Sequence, residues 1–339
     1  MSHPRLSLIL DEADALPPTG RILVLNARAG FDAAPLPRDR ALLVQGFRPD
    51  HDALHRAGFK VAPTLPEGTE GFAAAVIFLP RSRAAARALV AAAVASVGSG
   101  APIWIDGQKT DGIDPIYKDI RARVTVSAPF AKAHGKIFRM EAPEPTLFAD
   151  WLAGELVPAE GFVTVPGVFS AEKVDPGSAL LAAALPADLA GTVVDLGAGW
   201  GWLAAQVLGH PKVYTLYLVE ADHDALSCAR RNIADARAVF EWADATDWHP
   251  ERAVDWVVMN PPFHAGRAAD PALGAAFIRS AARMLKPSGR LMMVANRHLP
   301  YEAVLGEHFR EVAEIGGDGA FKVFRADRPV TRPAPRPRR

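Results

Sequence analysis

Cysteine is almost missing from this chain: Cys228 is the only one in 339 residues. No intrachain disulfide can form, and no cysteine-based zinc cluster can be built. No metal is expected from the ten histidines. Long apolar runs are missing too. The most apolar stretch, residues 84–97, is alanine-rich and carries Arg87. It falls short of the roughly 18 to 20 uninterrupted apolar residues that a membrane span needs. The opening Met1-Ser-His-Pro-Arg-Leu-Ser lacks the apolar core and small-residue cleavage site of a secretory signal. A cytoplasmic protein is expected. Net charge is absent as well, with 38 basic residues against 38 acidic, which excludes a uniformly basic surface. The balance is not kept locally. Residues 81–140 hold ten Lys or Arg against four Asp, and residues 325–339 hold six Arg against one Asp. Two such zones suit local phosphate contacts, or a solvated face and a solubilising tail.

What is present is enough for two domains of ordinary size, since half the residues are apolar and 22% are charged. The C-terminal half alternates short apolar runs with helical periodicity, the pattern of a parallel sheet covered on both faces. Strands are predicted at 193–196, 213–219, 238–242, 254–259 and 291–295. Helices are predicted at 202–208, 224–233, 271–285 and 300–309, with Lys286-Pro-Ser-Gly289 as a helix stop. Residues 312–315 and 321–324 read as a closing hairpin around Gly316-Gly-Asp-Gly319. Cys228 falls mid-helix and reads as small core packing.

The N-terminal half repeats this plan. Ile22-Leu-Val-Leu-Asn-Ala-Arg-Ala-Gly30 aligns position for position with Val193-Val-Asp-Leu-Gly-Ala-Gly-Trp-Gly201, and Ala73-Ala-Ala-Val-Ile-Phe-Leu-Pro80 resembles the strand that leads into Asn260. Residues 84–97 and 102–105 then match the following helix and strand. The chemistry differs between the copies. Val24, Asn26 and Arg28 stand where the second copy has Asp195, Gly197 and Gly199, and Leu79 is aligned with Asn260. An arginine where glycine lets backbone approach a ligand would fill that space. The first copy is therefore expected to bind no cofactor and to serve as a docking or scaffolding surface. Residues 140–161, rich in Pro and Glu, read as a linker with some helix, and the Pro- and Arg-rich tail after 326 as disordered. The expected division is 1–150, 151–326 and a tail of 327–339.

The most informative segment is Val254-Asp-Trp-Val-Val-Met-Asn-Pro-Pro-Phe263. An apolar strand that ends in Asn-Pro-Pro has a rigid terminus, because each proline fixes its own φ and restrains the residue before it. The Asn260 carboxamide and nearby carbonyls are held as acceptors beside the ring of Phe263, which suits a planar conjugated amine. Upstream, glycines 197, 199 and 201 follow a strand and precede a helix. The dinucleotide fingerprint would want its third glycine at Trp202. Asp195 just before the glycines repels phosphate and suits an ammonium group instead. Glu220, at the end of the next strand, can accept two ribose hydroxyls, and Asp244, past the third, an adenine amine. Three acids at successive strand ends, on the edge where open α/β sheets bind ligands, point to a nucleoside carrying an amino acid.

These residues resemble the class I S-adenosylmethionine-dependent methyltransferases. More narrowly, the chain is similar to the ribosomal RNA guanine-N2 methyltransferases of the small-subunit (RsmC) type, which carry two tandem methyltransferase-like domains of which only the second is active. The resemblance rests on Val165-Pro-Gly-Val-Phe-Ser170 with Asp175-Pro-Gly-Ser178, Asp195-Leu-Gly-Ala-Gly-Trp-Gly201 and Asn260-Pro-Pro-Phe-His264. Val294-Ala-Asn-Arg-His-Leu-Pro-Tyr-Glu302 and Phe321-Lys-Val-Phe-Arg-Ala326 also match, whereas the N-terminal match is mainly Gly107-Gln-Lys-Thr-Asp-Gly112. Pro176 departs from the pattern, where a non-proline residue is usual. The resemblance implies two Rossmann-like α/β domains with seven-stranded, mostly parallel sheets. It implies S-adenosylmethionine bound by Asp195, Gly197, Gly199, Gly201, Glu220, Asp244, Ala245 and Ser178. Asn260, Pro261, Pro262 and Phe263 would form the catalytic corner, and His264 and Arg267 would contact RNA. The implied partner is ribosomal RNA or the small ribosomal subunit, with a monomer and no membrane. Asn-Pro-Pro-Phe also serves methylation of adenine N6 or of protein glutamine. A different class, an RNA-binding assembly factor with weak or lost catalysis, is the other alternative.

Overall fold

A computed structural model describes residues 4–10, 15–31, 36–262 and 271–330. The chain divides into two units, residues 1–156 with 165–167, and residues 157–164 with 168–339. The first contains α1 (Pro4–Leu10), β1 (Ile22–Leu25), β2 (Ala41–Val44), α2 (Arg48–Arg56), β3 (Lys60–Ala62), β4 (Ala74–Phe78), α3 (Arg83–Ser96), β5 (Pro102–Gln108), α4 (Ile113–Arg121), β6 (Phe130–Lys132) and β7 (Gly135–Glu141). Its sheet order is β3-β2-β1-β4-β5-β7-β6, parallel as far as β5 and antiparallel at β7 and β6.

The second unit contains α5 (Pro176–Ala183), β8 (Gly191–Leu196), α6 (Trp202–Leu208), β9 (Val213–Glu220), α7 (His223–Asn232), β10 (Ala238–Trp242), β11 (Val254–Met259), α8 (Pro271–Met284), β12 (Leu285–Asn296), α9 (Tyr301–His308), β13 (Phe309–Gly317) and β14 (Phe321–Pro329). The order β10-β9-β8-β11-β12-β14-β13 is the same, strand for strand, so the duplication read from the sequence is a duplication of topology. This is the two-domain α/β fold with mostly parallel seven-stranded sheets that the sequence implies.

Burial explains why the strands read as apolar runs. Every residue of β4 is buried, because helices cover both faces of a parallel sheet. In the second unit Leu181, Leu203, Val207 and Leu226 pack on one face, and Phe277, Ile278, Tyr301 and Leu305 on the other. Each such side chain contributes roughly 1.5–3 kcal/mol by leaving water. In the first unit, Arg5 of α1 is wholly buried and forks onto Asp106, with Nη2 2.5 Å from Oδ1 and Nε 3.2 Å from Oδ2.

Four expectations need correction. The stretch read as a linker begins as the end of β7 and continues as a 3-10 helix, Pro145–Trp151. Phe148 and Trp151 are buried in the first unit's core, which anchors a segment whose Pro and Glu content reads as loose. The Lys286–Gly289 stop is a register shift within β12, which pairs with Val254 through Leu285 and resumes with Trp256 through Arg290. The tail does not begin at 327: Asp327 pairs with Arg290 on one side and Glu311 on the other, and β14 runs to Pro329. Residues 331–339 lie outside the described residues. Finally, Val24 pairs with Val76 and Asp195 with Val258, so continuing two residues sets Phe78, not Leu79, level with Asn260. An unbroken apolar run carries no mark that would fix this register from sequence.

Candidate active site

In the second sheet the strand order reverses between β8 and β11, and ligands of open α/β sheets bind beyond the carboxyl ends at such a switch point. Asp195 sits one residue before the end of β8, and Asn260 follows β11 directly. Both line a cleft of about 430 Å³, open to solvent, together with Asp175, Ser178, Gly197, Gly199 and the aromatic rings of Phe169, Trp200 and Trp202.

The glycine loop has the backbone that its residue type permits. Gly197, Gly199 and Gly201 have φ of +85°, +55° and +89°. A side chain at Gly201 would strike Ile233 and Ala229, whereas one at Gly199 would meet nothing within 4 Å and would grow into the cleft. Asn232 clamps the loop to the preceding segment. Its Nδ2 donates to the Trp200 and Val163 carbonyls at 2.8 and 2.9 Å, and its Oδ1 accepts the Val163 amide at 2.8 Å. Trp200 Nε1 then donates to the Phe169 carbonyl at 3.0 Å, holding a phenyl ring that is 55% exposed at the cleft.

Asp195 is fully buried, and neither carboxylate oxygen has a hydrogen-bond partner in good geometry among the described residues, the Ala204 amide being the one donor nearby. Burial pushes its pKa up to about 8, the Glu220 charge adds to this, and the Ala204 amide in the first turn of α6 opposes it. An unpartnered buried carboxyl that lines a cleft is an acceptor held for a ligand, and a ligand with an ammonium group would satisfy it. Glu220, raised to about 7 chiefly by burial, accepts the Asp222 and Gly199 amides at 2.8 Å each, one on each oxygen. It braces the loop and leaves each oxygen a further lone pair. Asp244 Oδ1 accepts the Thr246 amide and hydroxyl at 2.8 and 2.7 Å, and the buried Ala245 receives Ser280 Oγ at its carbonyl, 2.7 Å away. Glu220, Asp244 and Ala245 stand beyond the lining of the cleft itself.

Asn260 Nδ2 donates to Asp175 Oδ1 at 2.7 Å and to Ser178 Oγ at 2.9 Å. Asp175 caps α5 by accepting the Ser178 amide at 2.8 Å, and Pro176 takes the first helical position, where its missing N–H costs nothing. The departure at Pro176 therefore leaves the corner intact. Ser178, expected at the cofactor, has its hydroxyl on Asn260. Pro261 is buried and Pro262 exposed, while Phe263, His264 and Arg267 lie outside the described residues. Sequence reading missed the link from Asp175 to Asn260. Its only local signal is the Asp-x-x-Ser spacing of a helix cap. Among the described residues, no group of three His, Cys, Asp or Glu is placed to hold a metal ion, and no helix is long and apolar enough to cross a membrane.

The methyltransferase small domain family matches residues 160–325. The solved structure of the T. thermophilus 16S rRNA N2 methyltransferase in complex with AdoMet and guanosine shares the fold, with a TM-score of 0.79 and 24% identity, covering 96% of this chain and 92% of that one. Fold and cleft together define an S-adenosylmethionine (AdoMet)-dependent methyltransferase, and the glycine loop with the unpartnered Asp195 fits that cofactor. The Ribosomal RNA small subunit methyltransferase C of Pseudomonas paraeruginosa is 34% identical over 272 residues, 76% of this chain and 80% of its own length. That of Hahella chejuensis is 29% identical over 332 residues, 91% of this chain and 95% of its own. The chain belongs to the ribosomal RNA small subunit methyltransferase C family.

Proposed function

We propose that this protein transfers the methyl group of AdoMet to the exocyclic N2 amine of a guanine in 16S ribosomal RNA. The observation that carries the reading is a single cleft with the unpartnered Asp195 carboxyl and the Asn260-Pro-Pro corner in one lining. Asp195 accepts the ammonium of the amino-acid moiety, and Gly197, Gly199 and Gly201 let the loop approach it. Glu220 accepts the ribose hydroxyls, while Asp244 and Ala245 meet the adenine. When bound, AdoMet supplies an electrophilic methyl on a sulfonium. Asn260 Oδ1 and the Pro261 carbonyl accept the two N2 hydrogens, aim the amine and stabilise positive charge as it develops on nitrogen. Guanine N2 is a poor nucleophile because its lone pair is delocalised, so positioning supplies most of the acceleration and no strong base is needed. The base leaves its stack to reach the corner. Phe263 stacks on it, worth about 1–3 kcal/mol, and His264 and Arg267 contact RNA.

The first unit binds no cofactor in this reading and serves as a docking or scaffolding body. The test uses labelled AdoMet with purified protein and, separately, small subunits, naked 16S RNA, DNA and total protein, followed by mass mapping of the products. N2-methylguanosine in 16S RNA is expected. Label on adenine N6 or on glutamine, or no transfer to any fraction, overturns the reading.

A further inference from the structure

A carboxamide is nearly symmetric in shape, yet one end accepts hydrogen bonds and the other donates them. Which end Asn260 offers decides whether the corner takes an amine or a carbonyl. We propose that Asp175 is the positioning residue that fixes this polarity, and that it does so through the cap of α5. The inference rests on the reading of Asn260 as the acceptor for the substrate amine.

Asn260 Nδ2 has two hydrogens, and both have acceptors: Asp175 Oδ1 at 2.7 Å and Ser178 Oγ at 2.9 Å. Asp175 Oδ1 also takes the Ser178 amide at 2.8 Å, so one oxygen ties the helix start to the strand end, 85 residues along the chain. A reversed amide would set its carbonyl oxygen against a carboxylate with no hydrogen between them. The charge-assisted bond would be lost and replaced by repulsion. Oδ1 is therefore the end left to the cleft. Pro261 and Pro262 add to the selection, since neither has a backbone N–H to donate. A donor substrate is accepted, and a carbonyl at the same place meets the Asn260 oxygen.

Capping alone does not require aspartate, because serine caps a helix about as well. The two roles separate on this difference. Asp175→Ser keeps a cap but presents a neutral oxygen on a shorter side chain, and Asp175→Asn keeps an acceptor at the original reach. Each is made in full-length protein, alone and with Asn260→Ala. The readouts are kcat and KM on small subunits, AdoMet Kd by calorimetry, and Tm. Asp175→Ser should lower kcat by about 10- to 100-fold, as misplaced catalytic groups do, with AdoMet Kd within about threefold and Tm little changed. Asp175→Asn should recover most of that loss, and Asp175→Ser should cost nothing further in Asn260→Ala protein. Wild-type kcat in Asp175→Ser, or the same loss in both backgrounds, overturns the proposal. Should Asp175→Ser fold poorly, Ser178→Ala removes only the hydroxyl acceptor and leaves the cap; it should lower kcat at unchanged Tm, and an unchanged kcat overturns the proposal equally. Near-wild-type activity in Asn260→Ala itself would instead sink the parent reading of Asn260.

Discussion

At the end of its central strand the first unit has Val24 where the second has Asp195, and at the next strand end Gln45 where the second has Glu220. The registers make these pairs equivalent, since Val44 pairs with Leu25 as Val219 pairs with Leu196. Backbone is preserved at two of the three loop positions, since Arg28, unlike Gly199, does not have a positive φ. Asn26 holds φ +60° where Gly197 holds +85°, and Gly30 holds +76° where Gly201 holds +89°. Asparagine is the non-glycine residue best able to do this, and its Nδ2 secures the turn by donating to the Phe78 carbonyl at 2.8 Å. Gln45 Oε1 accepts the amide two residues on, at Phe47, as Glu220 does at Asp222, both at 2.8 Å. The other ends differ. Gln45 Nε2 donates inward to the Ala27 carbonyl at 2.6 Å, whereas Glu220 keeps a carboxylate beside the loop.

The first unit, proposed to bind no cofactor, shows this fold with its edge closed on itself. Its polar groups at the corresponding edge are satisfied internally or replaced by apolar ones. The second unit keeps a buried carboxyl with no hydrogen-bond partner among the described residues, an arrangement that lowers its own stability and suits a ligand.

The comparison can be broken most sharply at Asn260, level with Phe78 in the other unit. Asn260→Ala should lower kcat at least about 100-fold, the scale of losing one oriented transition-state contact, while AdoMet Kd stays within a few-fold in calorimetry. Next comes Gly199→Arg, which copies Arg28 into the second unit. It should weaken AdoMet binding at least about 100-fold, because the side chain grows into the cleft; a Kd near wild type would show that the loop is not the cofactor seat. In the first unit, Arg5→Ala removes the guanidinium from the buried Asp106 and should cost about 3–5 kcal/mol in denaturant unfolding. AdoMet affinity should be unchanged, and a matching fall would mean that the units are not energetically separate.

Asp195 supplies the most diagnostic effect. Its folded pKa of about 8 lies above the ordinary carboxylate value of 3.8, so the folded state holds a proton that the unfolded state has released. The group's contribution to stability falls as pH rises from about 4 and levels off above about 8. Asp195→Asn should therefore stabilise the free protein, by an amount that grows from pH 5 to pH 8 and reaches on the order of a few kcal/mol. The same linkage makes AdoMet bind more tightly as pH rises from 6 to 7.5, below the roughly 7.7–8.0 at which an α-amino group loses its charge. That slope should be reduced in Asp195→Asn, with the remainder carried by Glu220, which is raised to about 7. A pH-independent stability difference between the two proteins would contradict the account of this carboxyl.

Most of the second fold was legible because parallel strands buried on both faces leave short apolar runs, and β10 and β11 fall where those runs do. Three features were not. The 3-10 helix at Pro145–Trp151 is held by only two buried aromatics within a Pro- and Glu-rich stretch. The end of β14 is polar, and its pairing to both neighbours depends on the partner strands rather than on its own residues. The one-residue offset at Phe78 lies in a run where every side chain is apolar. In the site, Asp195, the glycines and Asn260 were legible from strand-end position. The amide lock was not, since spacing along a chain says nothing about residues 85 apart.

Calorimetric titration of full-length protein with AdoMet tests the division of labour between the units most directly. One equivalent per chain is predicted, lost when Gly199 is replaced by arginine. Two equivalents, or a single one that survives that substitution, would contradict it.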